Sequence, residues 1–338
     1  MTQDGEGTPR LLVLRALGLG DLLAGIPALR ALRRAFPAYE TVLAAPGSLA
    51  DAVAATGAVD RLLPASAPGR AVPERLDWTG APPDLAVDLH GNGPPSHRLL
   101  QRLGPGRLWA FAHPGTPEIA GPVWTADEHE RARWCRLVEW YGVRADPGDL
   151  RVTPPDEPSP APGAVVVHPG ADAGSRRWPP ERYAAVVRDV RRRGYRAVLT
   201  GGPGEDALLA RVAGPAGLAD GDVLAGGLPF RRLAALFAGA AAVVSGDTGI
   251  AHLAVAVGTP SVTLFGPVPP RLWGPPPGTR HVALWHPGPP GDPHARTPDP
   301  NLLRITPDEV LAALYGTVPR DPYETDARAT SPSEVFRP

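Results

Sequence analysis

The sequence predicts an α/β protein made of two open, parallel-sheet domains. Three observations carry that prediction. Short apolar runs of strand length alternate with helical stretches along most of the chain, the rhythm of βαβ units whose sheet is covered on both faces. The 338 residues exceed what one core usually serves. The rhythm breaks once near the middle, at "VTPPDEPSPAPG" (152–163), where five of twelve residues are proline. Such a segment is neither helix nor central strand and reads as a stiff linker.

Each element follows from its residues. "RLLVLRA" (10–16) is an apolar strand. "GLGDLLAGIPALRALRRAFP" sets Leu22, Leu23, Ile26, Leu29 and Leu32 at helical spacing, with Pro37 beyond its end. "TVLAA" (41–45) is the next strand, and a helix covers 49–55. "RLLP" and "DLAVDLHG" are further strands, with helices over 96–103 and 127–141. After the linker the rhythm restarts: "AVVVHPG" strand, "PPERYAAVVRDVRRRG" helix, "YRAVLTGG" strand, then "EDALLARVAG" and "FRRLAALFAGA" as helices. "AAVVSG", "TGIAHLAVAVG" and "SVTLFG" complete it as strand, helix and strand. Beyond Phe265 the chain turns loop-rich until "TPDEVLAAL", a helix with Thr306 as cap, Pro307 in its first position and Glu309 three after the cap. The domain limits are then 1–153, a linker over 154–163, and 164–318, followed by a polar tail (319–338) that reads as disordered.

Composition excludes several function classes. A net charge of −1 gives no bulk electrostatic case for nucleic acid. The one cysteine, Cys135, rules out an internal disulfide framework and fits a reducing compartment. The chain has no lysine, which excludes a Walker A phosphate loop and lysine Schiff-base chemistry. The polar start "MTQDGEGTPR" shows no secretory core, and no apolar stretch reaches the roughly 20 residues of a membrane helix. A cytoplasmic protein is expected.

The motif with most chemical content is "VVSGDTGIAH", a strand end, a tight turn and a helix start. The first N–H groups of that helix, near Thr248, Gly249 and Ile250, have no intrahelical partner and suit a phosphate. Gly249 would let a ligand approach the backbone, while Asp247 or Thr248 serves as helix cap. "HPGADAGSRRWPPERY" again lies at a strand's carboxyl end, where Arg176 or Arg177 could clamp phosphate or simply face water. "GGPGEDALLA" fits a dinucleotide fingerprint only weakly, because Pro203 separates its glycines; Glu205 beside it could accept from ribose hydroxyls or act as a first-turn acid. In "ALGLGDLLAG", Gly18 and Gly20 allow close approach and Asp21 reads as an N-cap by default. Opposite a donor site across a cleft, Asp21 is a candidate general base. "DGD" (220–222) imitates a metal-binding DxD, and His281, His286 and His294 are spaced too loosely for zinc.

"LRALGLGDLLAGIPALRALRRAFP", "VVVHPGADAGSRRWPPERY", "LTGGPGED" and "VVSGDTGIAHLAVAVGTPSVTLFGP" together resemble the serial signatures of glycosyltransferase family 9, the heptosyltransferases of lipopolysaccharide core synthesis and their relatives. The resemblance spans about residues 10–315. It implies the GT-B architecture, two Rossmann-like domains facing across a cleft with the nucleotide-sugar donor on the C-terminal one. Residue by residue it implies Asp21 as catalytic base and Gly18 and Gly20 as close-approach glycines. Ser175 and Arg176 would lie at the donor, with Arg176 standing where relatives usually carry lysine. Glu205 would bind the ribose, Asp247, Thr248 and Gly249 would form the diphosphate turn, and His252 would follow one turn on. It further implies an inverting reaction with no metal or other cofactor, and ADP-heptose as donor. The acceptor would be a glycan, glycolipid or small molecule, and the enzyme would associate peripherally with the inner membrane. Rival readings are another GT-B enzyme such as a nucleotide-sugar epimerase, a non-catalytic nucleotide-sugar-binding protein, and an NAD enzyme resting on "GGPGEDA" alone.

Overall fold

The computed structural model describes residues 7–278 and 280–318 and contains two parallel sheets. The first has strands β1 (Arg10–Leu14), β2 (Glu40–Ala45), β3 (Arg61–Pro64), β4 (Leu85–Asp88) and β5 (Leu108–Trp109), in the order β3-β2-β1-β4-β5. Helices α1 (Leu19–Ala35), α2 (Ala50–Ala55), α3 (Pro94–Gln101) and α4 (Glu130–Trp140) belong to this half. Leu12 of β1 sits opposite Val42 on one side and Ala86 on the other. A strand flanked on both edges and covered on both faces must be apolar throughout, and Leu11 to Leu14 are fully buried.

The second half contains β6 (Val165–His168), α5 (Pro180–Arg192), β7 (Ala197–Thr200), α6 (Asp206–Ala216), β8 (Val223–Leu224), α7 (Phe230–Ala238) and β9 (Ala242–Gly246). It continues with α8 (Gly249–Val257), β10 (Ser261–Leu264), α9 (Pro270–Trp273), β11 (His281–Leu284) and α10 (Pro307–Thr317). The sheet order is β11-β10-β9-β6-β7-β8. Both strand orders reverse at the sheet centre, between β1 and β4 in the first half and between β6 and β9 in the second. The crevice beyond the carboxyl ends of such a pair is where open α/β sheets bind ligands.

The halves share packing through α1. Its Leu22, Leu29 and Leu32 join the core over the first sheet. Its Leu23 and Ile26 join a core with Leu253, Ala254 and Val257 of α8 and Val243 of the second sheet. This helix is therefore buried on two sides, which explains why its apolar positions are denser than one stripe requires.

Several expectations need correction. Asp21 is not the N-cap of α1. Gly18 holds that position, and Asp21, three residues on, accepts from the Gly18 N–H at 3.1 Å in a capping-box arrangement. The loop-rich stretch after Phe265 contains α9 and an added edge strand, β11, pairing in parallel with β10. The proline segment packs against the second half. Val152 N–H donates to Ala256 O at 2.9 Å, Gly163 N–H donates to Gly239 O at 2.8 Å, and Val152 and Ala161 are buried in the second half's core. The helix expected from residue 127 begins at Glu130, capped by His129. The cap of α10 is as predicted, with Thr306 and Glu309 in a capping box. The tail at 319–338 lies outside the described residues.

Candidate active site

Three helix N-termini, those of α1, α4 and α8, come together between the two switch points. On the first side, β1 is followed by Arg15, a fully buried cation. Its Nε donates to Asp21 O at 2.6 Å, and its Nη2 lies 3.1 Å from Glu130 Oε1. It also stacks 4.9 Å over the Trp134 ring. Arg15 thus fixes the first turn of α1, and with it the backbone that carries Asp21. A Cβ on Gly25 would lie 2.8 Å from Arg15 Nε, so that glycine makes the room. The Asp21 side chain is 13% exposed, enough to reach the cleft while tied to Gly18.

At the end of β4, His90 Nδ1 accepts from Ala16 N–H at 3.2 Å. Burial, followed by the nearby Arg15 cation, pulls the His90 imidazole down to about 4, so it is neutral near pH 7. Asp88 holds the turn by accepting from the N–H groups of His90 and Gly91 at 2.9 and 3.3 Å. Burial pushes its carboxyl up to about 6, against those hydrogen bonds.

On the second side the predicted donor residues gather at the carboxyl ends of β6, β7 and β9. Thr248 is the N-cap of α8, its hydroxyl accepting from Ile250 N–H at 3.3 Å. Asp247 is buried, and burial raises its carboxyl to about 6 with Arg176 pulling the other way. Arg176 Nη1 donates to Asp247 O at 3.2 Å. The two arginines of "SRRW" separate here: Arg177 braces its own loop by donating to Ala171 O at 2.8 Å, while Arg176 turns to the α8 turn. Arg176 Nε and the buried Ser175 Oγ have no hydrogen-bond partner among the described residues. Orphaned polar atoms beside a helix N-terminus are poor for stability and suited to an anion. Glu205 Oε2 accepts from Gly202 N–H at 2.7 Å, and its carboxylate fills the space a Cβ on Gly170 would need.

The sides meet at glycines. A Cβ on Gly20 would lie 3.1 Å from His252 Cδ2 and 3.2 Å from Gly249 Cα. A Cβ on Gly249 would lie 3.0 Å from Gly20 N. The freedom that Gly249 offers is taken up by α1. His252 packs on Gly20 and 5.8 Å from Trp273, centroid to centroid. Burial, then Arg131 and His129, lowers its imidazole to about 4, so it carries no charge for a phosphate near neutrality. His129 Nε2 and Arg131 Nη1 each lie 3.0 Å from Gly274 O, joining the start of α4 to the α9 turn.

Sequence reading missed Arg15, His90, His129, Glu130, Arg131 and Arg133. Arg15 follows an apolar strand, where it looks like an ordinary flanking charge, and "DEHERARW" reads as a solvated helix start. Arg15, and Arg131 and Arg133 in that helix start, are nonetheless buried. The decoys disperse. Asp222 pairs with Arg196 at 2.9 Å, His286 with Glu309 at 2.9 Å, and His281 Nδ1 lies 3.0 Å from Ser261 Oγ. Among the described residues no group of three or more His, Cys, Asp or Glu could hold a metal ion, and no helix is long and apolar enough to cross a membrane.

Comparisons with known proteins bear on the family and the fold. Residues 150–298 match the family described as glycosyltransferase family 9 (heptosyltransferase). The chain is 28% identical over 297 residues to lipopolysaccharide heptosyltransferase 1 of Salmonella typhimurium, spanning 78% of this chain and 90% of that one. Among solved structures, a family 9 glycosyl transferase from Veillonella parvula superposes with a TM-score of 0.74 at 19% identity, over 92% of this chain and 97% of that one. Escherichia coli heptosyltransferase WaaC, solved with ADP, superposes with a TM-score of 0.68 at 21% identity, over 91% and 100%. The likeness in fold is to GT-B enzymes, two parallel-sheet domains facing across a cleft.

Proposed function

We propose that this family 9, heptosyltransferase-like glycosyltransferase moves heptose from ADP-heptose to a hydroxyl of a glycan, glycolipid or small-molecule acceptor, inverting the anomeric centre without a metal ion. One observation carries the reading. The Asp21 carboxylate, partly exposed, stands at one switch point, and across the cleft stand an arginine, an orphaned serine hydroxyl and a helix N-terminus.

The chemistry follows from that opposition. The acceptor oxygen attacks the anomeric carbon from the face away from the nucleotide. Its bond to carbon forms as the bond from carbon to the phosphate oxygen breaks, and Asp21 takes the hydroxyl proton. One displacement inverts the centre. The departing ADP gains negative charge, which Arg176, Ser175 Oγ and the α8 N-terminus at Thr248 and Gly249 stabilise as a metal would elsewhere. Glu205 accepts from the ribose hydroxyls through the oxygen not held by Gly202. Asp247 acts through Arg176, and His252 as a neutral wall beneath the turn. With a glycolipid acceptor the enzyme works in the cytoplasm at the inner face of the membrane. The names of the heptosyltransferase relatives, and ADP in one structural neighbour, support this choice of donor.

A thermal-shift screen against ADP-heptose and against GDP-, UDP- and dTDP-sugars, all in excess EDTA, tests it. A ligand at 100 times its Kd stabilises the native state by about 2.7 kcal/mol. ADP-heptose should raise the melting temperature in EDTA, the other sugars should not, and Arg176→Ala should abolish the rise. A shift that appears only after Mg²⁺ or Mn²⁺ is restored contradicts the metal-free reading.

A further inference from the structure

Arg70, between β3 and β4, has a left-handed backbone. Its φ of 61° is the only positive value at a non-glycine among the described residues, and it follows Gly69 at 64°. A residue with a Cβ adopts that region only where its surroundings hold it there. What holds Arg70 is a pair of carboxylates on opposite sides of the cleft. Nη1 lies 3.7 Å from Asp21 Oδ2. Nη2 pairs with Asp172 Oδ2, in the loop after β6 that also carries Ser175 and Arg176. The guanidinium also rests on the turn that opens α1, where a Cβ on Gly18 would come within 3.4 Å of Nη2.

This arrangement is a poor stabiliser. The Asp172 side chain is 77% exposed and that of Arg70 48%, so the outer ion pair is screened by water and contributes little. A strained backbone that yields only a screened pair is better explained by what it positions. The inner partner is the one carboxylate placed to act as base, and the outer one belongs to the loop placed to hold the donor.

We propose that Arg70 is a positioning residue that straps the donor-side loop to the acceptor-side carboxylate, aiming Asp21 only while the 170–176 loop is docked. Its catalytic half rests on Asp21 being the base; the strap itself does not.

Hydrogen exchange on the full chain, without ligand, tests the strap. Asp172→Asn should speed exchange in residues 66–72 of the opposite domain by about tenfold, and Arg70→Gln should do the same in 170–177. The double variant should exchange no faster than either single one. Unchanged exchange across the cleft, or additive effects in the double variant, would overturn the strap. Turnover is read as ADP release from ADP-heptose with water as acceptor. It should fall about tenfold or more in Arg70→Gln, with the donor KM moving less than about threefold. Arg70→Gly, which removes the left-handed strain, should melt no lower than the parent and show the same loss, and Arg70→Lys should recover part of it. If Asp21→Asn is inactive but Arg70→Gln turns over like the parent, the positioning role is wrong. If exchange couples across the cleft while Asp21→Asn keeps parental turnover, the strap stands and the base assignment falls.

Discussion

Gly20 and Gly249 meet across the domain boundary with no side chain between them, so that the first turns of α1 and α8 touch backbone to backbone. The contact brings Asp21, one residue beyond Gly20, toward the turn formed by Asp247 and Thr248. Neither glycine has a positive φ, so what excludes a larger residue is space. Gly20→Ala and Gly249→Ala should each destabilise the protein by about 1–3 kcal/mol, as overpacking does. Each should also lower turnover by widening the cleft. Denaturant unfolding checks the first effect and ADP release the second; parental values for both would mean that the two helices can separate freely.

Glu130 is a buried carboxylate paired with two buried arginines. Its carboxylate takes Arg15 Nη2 at 3.1 Å and Trp134 Nε1 at 2.7 Å on one oxygen, and Arg133 on the other. Removing one partner of a buried pair leaves a charge uncompensated, which costs about 3–5 kcal/mol. Glu130→Gln keeps the shape and should lose stability of that order in urea or guanidinium. A change below about 1 kcal/mol would show that water already reaches the cluster.

Asp247 makes a pH prediction. Burial pushes its carboxyl up to about 6 in the folded chain, against an ordinary aspartate value of 3.8. The folded state therefore holds the proton more tightly, and the resulting stability is fully present below about 3.8 and lost as the pH rises to about 6. Asp247→Asn lacks this component. Its melting temperature relative to the parent should rise between pH 4 and pH 7; a constant difference would mean that the Asp247 carboxyl is not desolvated.

What the sequence disclosed depended on whether a feature is local. The α1 and α8 turns were legible because a strand end, glycines and a helix start sit within ten residues, and the caps of α10 for the same reason. The β11 strand was hidden because "HVAL" is only four residues long between runs of glycine and proline, and pairing with β10 makes it a strand. Arg15 and Glu130 are 115 residues apart, so nothing local distinguishes a buried pair from two solvated charges. Gly249 shows the same limit: a missing side chain signals that something comes close, and only the fold shows that α1 does.

The central claim is that Asp21 removes the proton from the attacking hydroxyl. The most direct measurement is turnover of purified Asp21→Asn with ADP-heptose, alongside its melting temperature. Asparagine can still accept from Gly18 N–H through its side-chain oxygen, so the first turn of α1 and the melting temperature should be preserved. It cannot take a proton, so turnover should fall by roughly 100-fold or more. Parental turnover in a normally folded Asp21→Asn protein would contradict the mechanism.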